Sequence, residues 1–348
     1  MAIEWLAGNR LRGTTTERPS ASLQSPSVGG WVEVGRTTLG SAGDTISVSS
    51  LSDKRYYMIL GNIKNTGGDT VSHIRANSDS SGNYALRRSV NGGADSTTTS
   101  DNRLFSTHNS KSVDSRFIHG NITNLSAKEK LGIFNVVENG STGVGTAPSR
   151  IEGVGKHAQT SNPVNELRLF NDEAGSFDTG GELVVLGWDP ADTHTTNFWE
   201  ELADVSYSSG STIDTSTFSA KKYLWIQAIS EGTSGNYLRV NGDTGSNYSG
   251  RYSNNGGSDG IWGTATGLTD NFGFDSLPMF WNFFIINNSA NEKLAIGHIV
   301  AQSTAGAGNA PNRQENVSKW VTTGSQITSV QITGSGLSGG QIKVWGAD

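Results

Sequence analysis

The chain has 348 residues, which is enough for two or three ordinary domains and excludes a single small module held together by disulfides. It contains 45 Gly, 7 Pro and no Cys, so thiol catalysis, disulfide bonds and cysteine-ligated zinc are excluded. The formal charge of -6 argues against a general nucleic-acid binder, because phosphate backbones repel a net negative protein.

Residues 1–30 are polar and rich in turn-forming residues, and apart from Ile3, Trp5 and Leu6 they have little to bury. They predict an extended arm that is ordered through another subunit or another protein, with Trp5 as the anchor. No basic region followed by an apolar core opens the chain, so we expect no secretory signal. The longest apolar run, near Met279 to Ile286, is far shorter than the ~20 residues that span a bilayer, so we expect no membrane insertion.

From residue 31 onward the pattern has a period of two, which is typical of β-strands. Residues 45–51 (TISVSSL) and 212–218 (TIDTSTF) alternate between polar and apolar. Continuous apolar runs predict strands that are buried on both faces, above all YYMILGNI (56–63) and YLWIQAI (223–229). No stretch offers three turns of amphipathic helix.

The second part of the chain repeats the first. When residues 74–95 are aligned with 238–259, 11 of the 22 positions are identical. The match continues on both sides with small insertions, so that one copy covers about 31–187 and the other about 199–346. Asn-Gly-Gly recurs at 91–93 and 255–257, where it predicts equivalent hairpin turns.

These patterns predict an all-β protein of two tandem, homologous, antiparallel β-sandwich domains of jelly-roll type, preceded by an N-terminal arm. The predicted boundaries are an arm at 1–30, copy one at 31–187, a linker at 188–198 and copy two at 199–348.

The repeat preserves no histidine, the residue that most often serves as general base or metal ligand. His73 aligns with Tyr237, His119 with Asn282, His157 with Trp320 and Asn135 with His298. No nucleophile elbow, zinc-protease motif, phosphate loop or dinucleotide fingerprint is present. We therefore expect no catalytic residues, no enzymatic activity and no cofactor.

Two loops carry oxygen ligands at the spacing of a calcium site, around Asp79 and Asp243 with neighbouring Asn residues. Asn and Asp side chains also cap their own turns, which needs no metal. We favour turn capping because each loop has few carboxylates, and keep Asp79 and Asp243 as the calcium candidates.

Charged residues repeat on one side of a strand in each copy, as Arg150, Glu152 and Lys156 and as Arg313, Glu315 and Lys319. Alternating signs predict either a ladder of cross-strand or intersubunit ion pairs, or a solvated edge strand protected by its charges. Both interpretations are structural, and these six residues join Trp5 as interface candidates.

The tryptophans Trp225, Trp262, Trp281 and Trp345 have no tryptophan counterpart in copy one. Aromatic faces can stack on sugar rings, so a single sugar site in copy two is one interpretation. We favour a core role, because Trp225 and Trp281 lie in runs with the pattern of buried strands.

Several phrases together resemble a family of virion proteins from tailed phages and related archaeal viruses, especially in marine viral sequence. They are WLAGNRLRGTTTERP, GWVEVGRTTLGSAGDTISV, SNYSGRYSNNGGSDG, TAGAGNAPNRQENVSKW, and the closing VVLGWD and KVWG. The resemblance implies a β-rich component of a particle, on the capsid surface, the tail or a fibre, and brings no catalytic residues.

On this basis we expect a virion structural protein that forms a symmetric homo-oligomer and contacts other virion proteins. It would assemble in the host cytoplasm and be released by lysis. The alternative is a receptor- or carbohydrate-binding domain of a tail fibre, with a host surface glycan or receptor as its partner.

Overall fold

The computed structural model describes residues 4–6, 10–12, 30–107, 115–192, 197–232, 234–269, 278–302 and 305–348. Over these residues every strand pairing is antiparallel and no helix occurs. The prediction of an all-β fold is confirmed.

The first half contains the strands up to residue 188. Their bounds are β1 Glu4–Leu6, β2 Arg10–Arg12, β3 Val32–Thr38, β4 Thr45–Ser49, β5 Tyr56–Thr66, β6 His73–Ala76, β7 Tyr84–Val90, β8 Ser96–Asp101, β9 Phe105–Ser106, β10 Ser115–Thr123, β11 Lys130–Glu138, β12 Ser149–His157, β13 Glu166–Phe170, β14 Ser176–Phe177 and β15 Glu182–Trp188.

The second half contains the remaining strands. Their bounds are β16 Glu200–Tyr207, β17 Gly210–Asp214, β18 Tyr223–Glu231, β19 Ser234–Val240, β20 Tyr248–Asn254, β21 Gly260–Ala265, β22 Met279–Ile286, β23 Lys293–Ala301, β24 Asn312–Trp320, β25 Val330–Leu337 and β26 Gly339–Ala347.

Strands β1 and β2 pair antiparallel, with Trp5 opposite Leu11. The rest of the predicted arm up to residue 29 lies outside the described residues, and so do the side chains of these two strands. The anchoring role of Trp5 therefore stays a prediction.

Each half has one large and one small sheet, and the large sheets share one strand order. The first runs β3-β15-β5-β10-β11-β12-β7-β8, with β14 beside β5, and the second runs β16-β26-β18-β22-β23-β24-β20-β21. The small sheets are β4-β13-β6-β9 and β17-β25-β19. The matching strand order agrees with the predicted internal duplication. The duplication and the jelly-roll assignment stay predictions.

The predicted hairpins are confirmed in both halves. Strands β7 and β8 pair around Asn91 and Gly92, and β20 and β21 pair around Asn255 and Gly256. All four turn residues have positive φ, between 52° and 74°. Asn and Gly adopt this conformation at low cost, which explains why the turn sequence recurs.

The four sheets stack as layers with three apolar cores between them. One core lies between the sheets of the first half and another between those of the second. The third joins the outer faces of the two large sheets, from Met58 and Leu60 of β5 to Ile296 of β23. Strand β5 is thus buried on both faces, as its continuous apolar sequence predicts.

A cross-strand pair has exchanged its members between the halves. Gly120 of β10 lies opposite Phe134 of β11, whereas Phe283 of β22 lies opposite Gly297 of β23. A Cβ at Gly120 would clash with the ring of Phe134, and a Cβ at Gly297 with the ring of Phe283. The ring of Phe134 fills the space over Gly120, and over Gly132 as well, whereas the ring of Phe283 fills the space over Gly297 from the opposite strand.

We expect Gly120→Phe and Phe134→Gly each to destabilise the protein, the first by overpacking and the second by a cavity worth about 3–5 kcal/mol. The double variant reproduces the arrangement of the second half and should recover most of the loss. Denaturant unfolding of the four proteins in a double-mutant cycle measures this coupling. Additive losses would show that the two positions do not share one space.

Candidate functional site

An apolar groove of about 980 Å³ lies on the outer face of the first large sheet. Its lining includes three exposed aliphatic side chains of β11 and β12, namely Leu131, Ile133 and Val154. Trp31, Tyr56 and Trp188 line it as well, and the rings of Tyr56 and Trp188 stack with their centroids 5.4 Å apart. An exposed apolar groove is a candidate interaction site. We call this surface the groove.

The equivalent surface of the second half is buried. Ile296 pairs with Val317 across β23 and β24 in the register in which Ile133 pairs with Val154. Ile133 is 59% exposed but Ile296 only 3%, because Ile296 belongs to the core between the halves. Trp199 and Tyr223, which align with Trp31 and Tyr56, are buried in the same core.

The second half leaves a different surface exposed. Phe280 of β22 lies opposite Val300 of β23, and both line a cleft of about 600 Å³. The aligned pair in the first half, Phe117 and Val137, has the same register. Phe280 is 46% exposed and Phe117 1%, because Phe117 lies in the core between the halves. We call the surface around Phe280 and Val300 the cleft.

The two halves therefore contribute different surfaces to their contact. The second half contributes the surface that corresponds to the groove, and the first half contributes the surface that corresponds to the cleft. The groove and the cleft are the two surfaces that this arrangement leaves without a partner within the described part of the chain.

A buried ion pair joins the halves beside this core. Arg150 donates to both carboxylate oxygens of Asp259, at 2.6 and 3.3 Å, and the two side chains are 5% and 2% exposed. The aligned Arg313 and Asp95 are both largely exposed. Arg150, an interface candidate from the sequence, thus connects two halves of one chain.

A second polar contact joins the halves through Lys319 and Glu292, whose charged atoms are 3.5 Å apart. Lys319 is fully buried and donates to the backbone carbonyls of Asn139 and Ser141 in the first half. Glu292 accepts a hydrogen bond from the backbone N–H of Gly143 in the same segment.

The aligned pair in the first half is exposed. Lys156 lies 3.1 Å from Glu129, each side chain is nearly half exposed, and Lys156 lines the groove. The remaining charged candidates pair within their strands, Arg150 with Glu152 at 2.7 Å and Arg313 with Glu315 at 2.9 Å.

The edge-strand interpretation of these residues is wrong. Strand β12 lies between β11 and β7, and β24 lies between β23 and β20, so neither is an edge. Their charges lie on the face at which the large sheets meet, a placement that sequence alone could not distinguish from an exposed edge.

Asp79 and Asp243 make the contacts of turn caps. Each Oδ1 accepts a hydrogen bond from the backbone N–H two residues on, at 3.0 and 2.8 Å. Each Oδ2 meets a ring nitrogen of the aligned partner residue, His157 at 2.9 Å and Trp320 at 2.7 Å. Among the described residues, no three His, Asp or Glu side chains converge as a metal site.

The packing of the halves brings together two histidines that the alignment keeps apart. His119 lies opposite Asn135 in the first half, and His298 lies opposite Asn282 in the second, so this pair is also exchanged. His119 stacks on Phe284 with ring centroids 4.0 Å apart. Burial, assisted by His298, lowers the pKa of His119 to about 3. Comparison of aligned positions could not detect this pair, because its members occupy different strands.

The tryptophans of the second half have core positions. Trp262, Trp281 and Trp345 are buried, and Trp225 is half-buried with its Nε1–H donated to Asn282. The aromatic residues of the groove belong to the first half, whereas the sugar site considered from the sequence lies in copy two.

No family model matches the chain, and a search of curated proteins finds no match. Among solved structures, one similar chain is the human GIVD cytosolic phospholipase A2, at 8% identity over 80% of this chain and 33% of that chain, with a TM-score of 0.15. Another is a Pseudomonas aeruginosa FadL homologue, at 9% identity over 85% of this chain and 90% of that chain, with a TM-score of 0.11. This chain thus spans about a third of the phospholipase chain, and these TM-scores establish neither a shared fold nor a shared function. The described residues contain no helix long and apolar enough to cross a membrane.

We expect Arg150→Met to destabilise the protein by about 3–5 kcal/mol, because it leaves the buried carboxylate of Asp259 without its closest cation. The matched control is Arg313→Met, which changes an exposed residue and should cost less than about 1 kcal/mol. Denaturant unfolding at low protein concentration, where association contributes little, gives both values. Equal losses would contradict the assigned difference between the two arginines.

We expect His119→Asn, which introduces the residue of the second half, to make stability less sensitive to acid. The folded-state pKa of about 3 lies below the ordinary value of 6.5, so the unfolded chain binds the proton first and stability falls as the pH drops from about 6.5 towards 3. Asn does not titrate, so the variant should lose less stability between pH 7 and pH 4. Unfolding midpoints at the two pH values test this, and an unchanged difference would contradict it.

Proposed function

We propose that this protein is a non-enzymatic structural component of a virus particle, on the capsid surface or tail, that assembles with copies of itself. One observation carries the proposal: the groove is exposed although its counterpart in the second half is a buried packing surface. A surface that has the residues of a buried packing surface but is exposed favours association with another molecule.

The charged residues that the repeat preserves support a structural role. Glu129 pairs with Lys156, and Glu292 pairs with Lys319. Arg150 pairs with Asp259, and Arg313 pairs with Glu315. Ion pairs of this kind hold two surfaces in a fixed position against one another. The resemblance to virion proteins agrees with this proposal.

The purified protein should form a defined multimer, because a second copy packed on the groove would remove Leu131, Ile133 and Val154 from water. Mass photometry from nanomolar to micromolar concentration measures its state, and gold-labelled antibody against the chain tests its presence on virus particles. A strict monomer at all concentrations, or particles that carry no label, would overturn the proposal.

A second candidate is a receptor- or carbohydrate-binding domain of a tail fibre. The stacked Tyr56 and Trp188 in the groove favour it, since aromatic faces with neighbouring polar groups such as Asn121 suit sugar rings. A glycan array distinguishes the two, because this candidate predicts binding that Tyr56→Ala removes.

A further inference from the structure

We infer that copies of this chain associate head to tail, with the groove of one copy packed on the cleft of the next. The inference rests on the proposed function and adds the mode of contact. It takes the contact between the two halves of one chain as the template for the contact between two chains.

The apolar parts of the two surfaces correspond to surfaces that are already in contact. Within the chain, Leu294, Ile296 and Val317 share a core with Phe117 and Val137. The groove presents the aligned Leu131, Ile133 and Val154, and the cleft presents the aligned Phe280 and Val300. Because the cross-strand registers are identical, the side chains of the free surfaces stand in the same relative positions as those of the buried ones. The groove of one copy therefore offers the cleft of another the aligned residues of a contact that already exists within the chain.

The charges at the two free surfaces are complementary in the same way. Within the chain, Asp259 of the second half binds Arg150 of the first and lies 3.9 Å from Arg251. On the groove side, the aligned Asp95 lies 3.2 Å from Arg87, the counterpart of Arg251, and is exposed. On the cleft side, Arg313 is the counterpart of Arg150 and its side chain is 61% exposed. Asp95 of one copy therefore meets Arg313 of the next.

A contact of this kind joins unlike surfaces, so it is heterologous, and its repetition closes into a ring or continues as a filament. A two-fold contact would instead bring the groove and the cleft of one copy against the cleft and the groove of the same partner. The contact within the chain gives no template for that, because its reciprocal pairs are absent from the described residues: Asp95 binds Arg87, and Lys156 binds Glu129.

The test uses two variants that damage one surface each. Ile133→Glu places a charge in the groove and leaves the cleft intact, whereas Phe280→Glu does the reverse. Each variant alone should lose association by at least about 30-fold in Kd, the effect of one disrupted central residue. An equimolar mixture should form one-to-one dimers that do not extend, because each variant supplies the surface that the other has lost.

Ile261→Glu is the matched control. Ile261 is an exposed strand residue that lines neither the groove nor the cleft, so this variant should assemble like the wild type. Ile133 and Phe280 are also exposed, and thermal unfolding of each variant verifies that it folds.

Charge reversal tests the register independently. Arg313→Asp and Asp95→Arg should each weaken assembly, and the double variant should restore it. Mass photometry and sedimentation velocity measure the assembly state of all of these proteins.

The outcomes separate the inference from the proposed function. A monomeric wild type would overturn both. A multimeric wild type would overturn the head-to-tail mode alone if one of the two Glu variants still assembled by itself, if the mixture formed no dimer, or if the double charge reversal gave no recovery.

Discussion

The fold depends on one constraint: the central strands of both large sheets are apolar on both faces, and each face must be removed from water. Strand β5 shows this directly, since Met58 and Ile59 are neighbours in sequence, point to opposite faces and are both buried. The small sheet covers one face of each large sheet. The other face is covered by the opposite half, and only in part, because the two large sheets are offset. The groove and the cleft are the uncovered ends of this third core.

Much of this architecture follows from the sequence. Period-two patterns identify strands, and continuous apolar runs identify strands with two buried faces. Asn-Gly pairs identify the hairpins, and these residues have positive φ in the structure. The position of the third core does not follow, because Ile133 and Ile296 are isoleucines at aligned positions and yet one is exposed and the other buried. Arg150 and Arg313 pose the same problem. Local sequence shows which residues can be buried, whereas the offset of the two large sheets decides which of two aligned residues is buried.

The two exchanged pairs reveal a second limit of position-by-position comparison. Glycine with phenylalanine and histidine with asparagine each lie opposite one another in both halves, with the strands reversed. The packing requirement acts on the volume and polarity of the pair, so either strand can supply either member. An alignment of single positions therefore scores these sites as divergent although the pair is retained.

The buried pair of Arg150 and Asp259 has a consequence for how the chain responds to its surroundings. Their charges are shielded from dissolved ions, so ionic strength has little influence on the bond between the halves. Arg313 and Asp95 carry the same charges in open solvent, where dissolved ions largely screen charges more than about 8 Å apart at physiological salt. The same pair of charges thus occurs twice: as a buried ion pair that salt hardly weakens, and as two exposed residues whose electrostatic interactions weaken as the salt concentration rises.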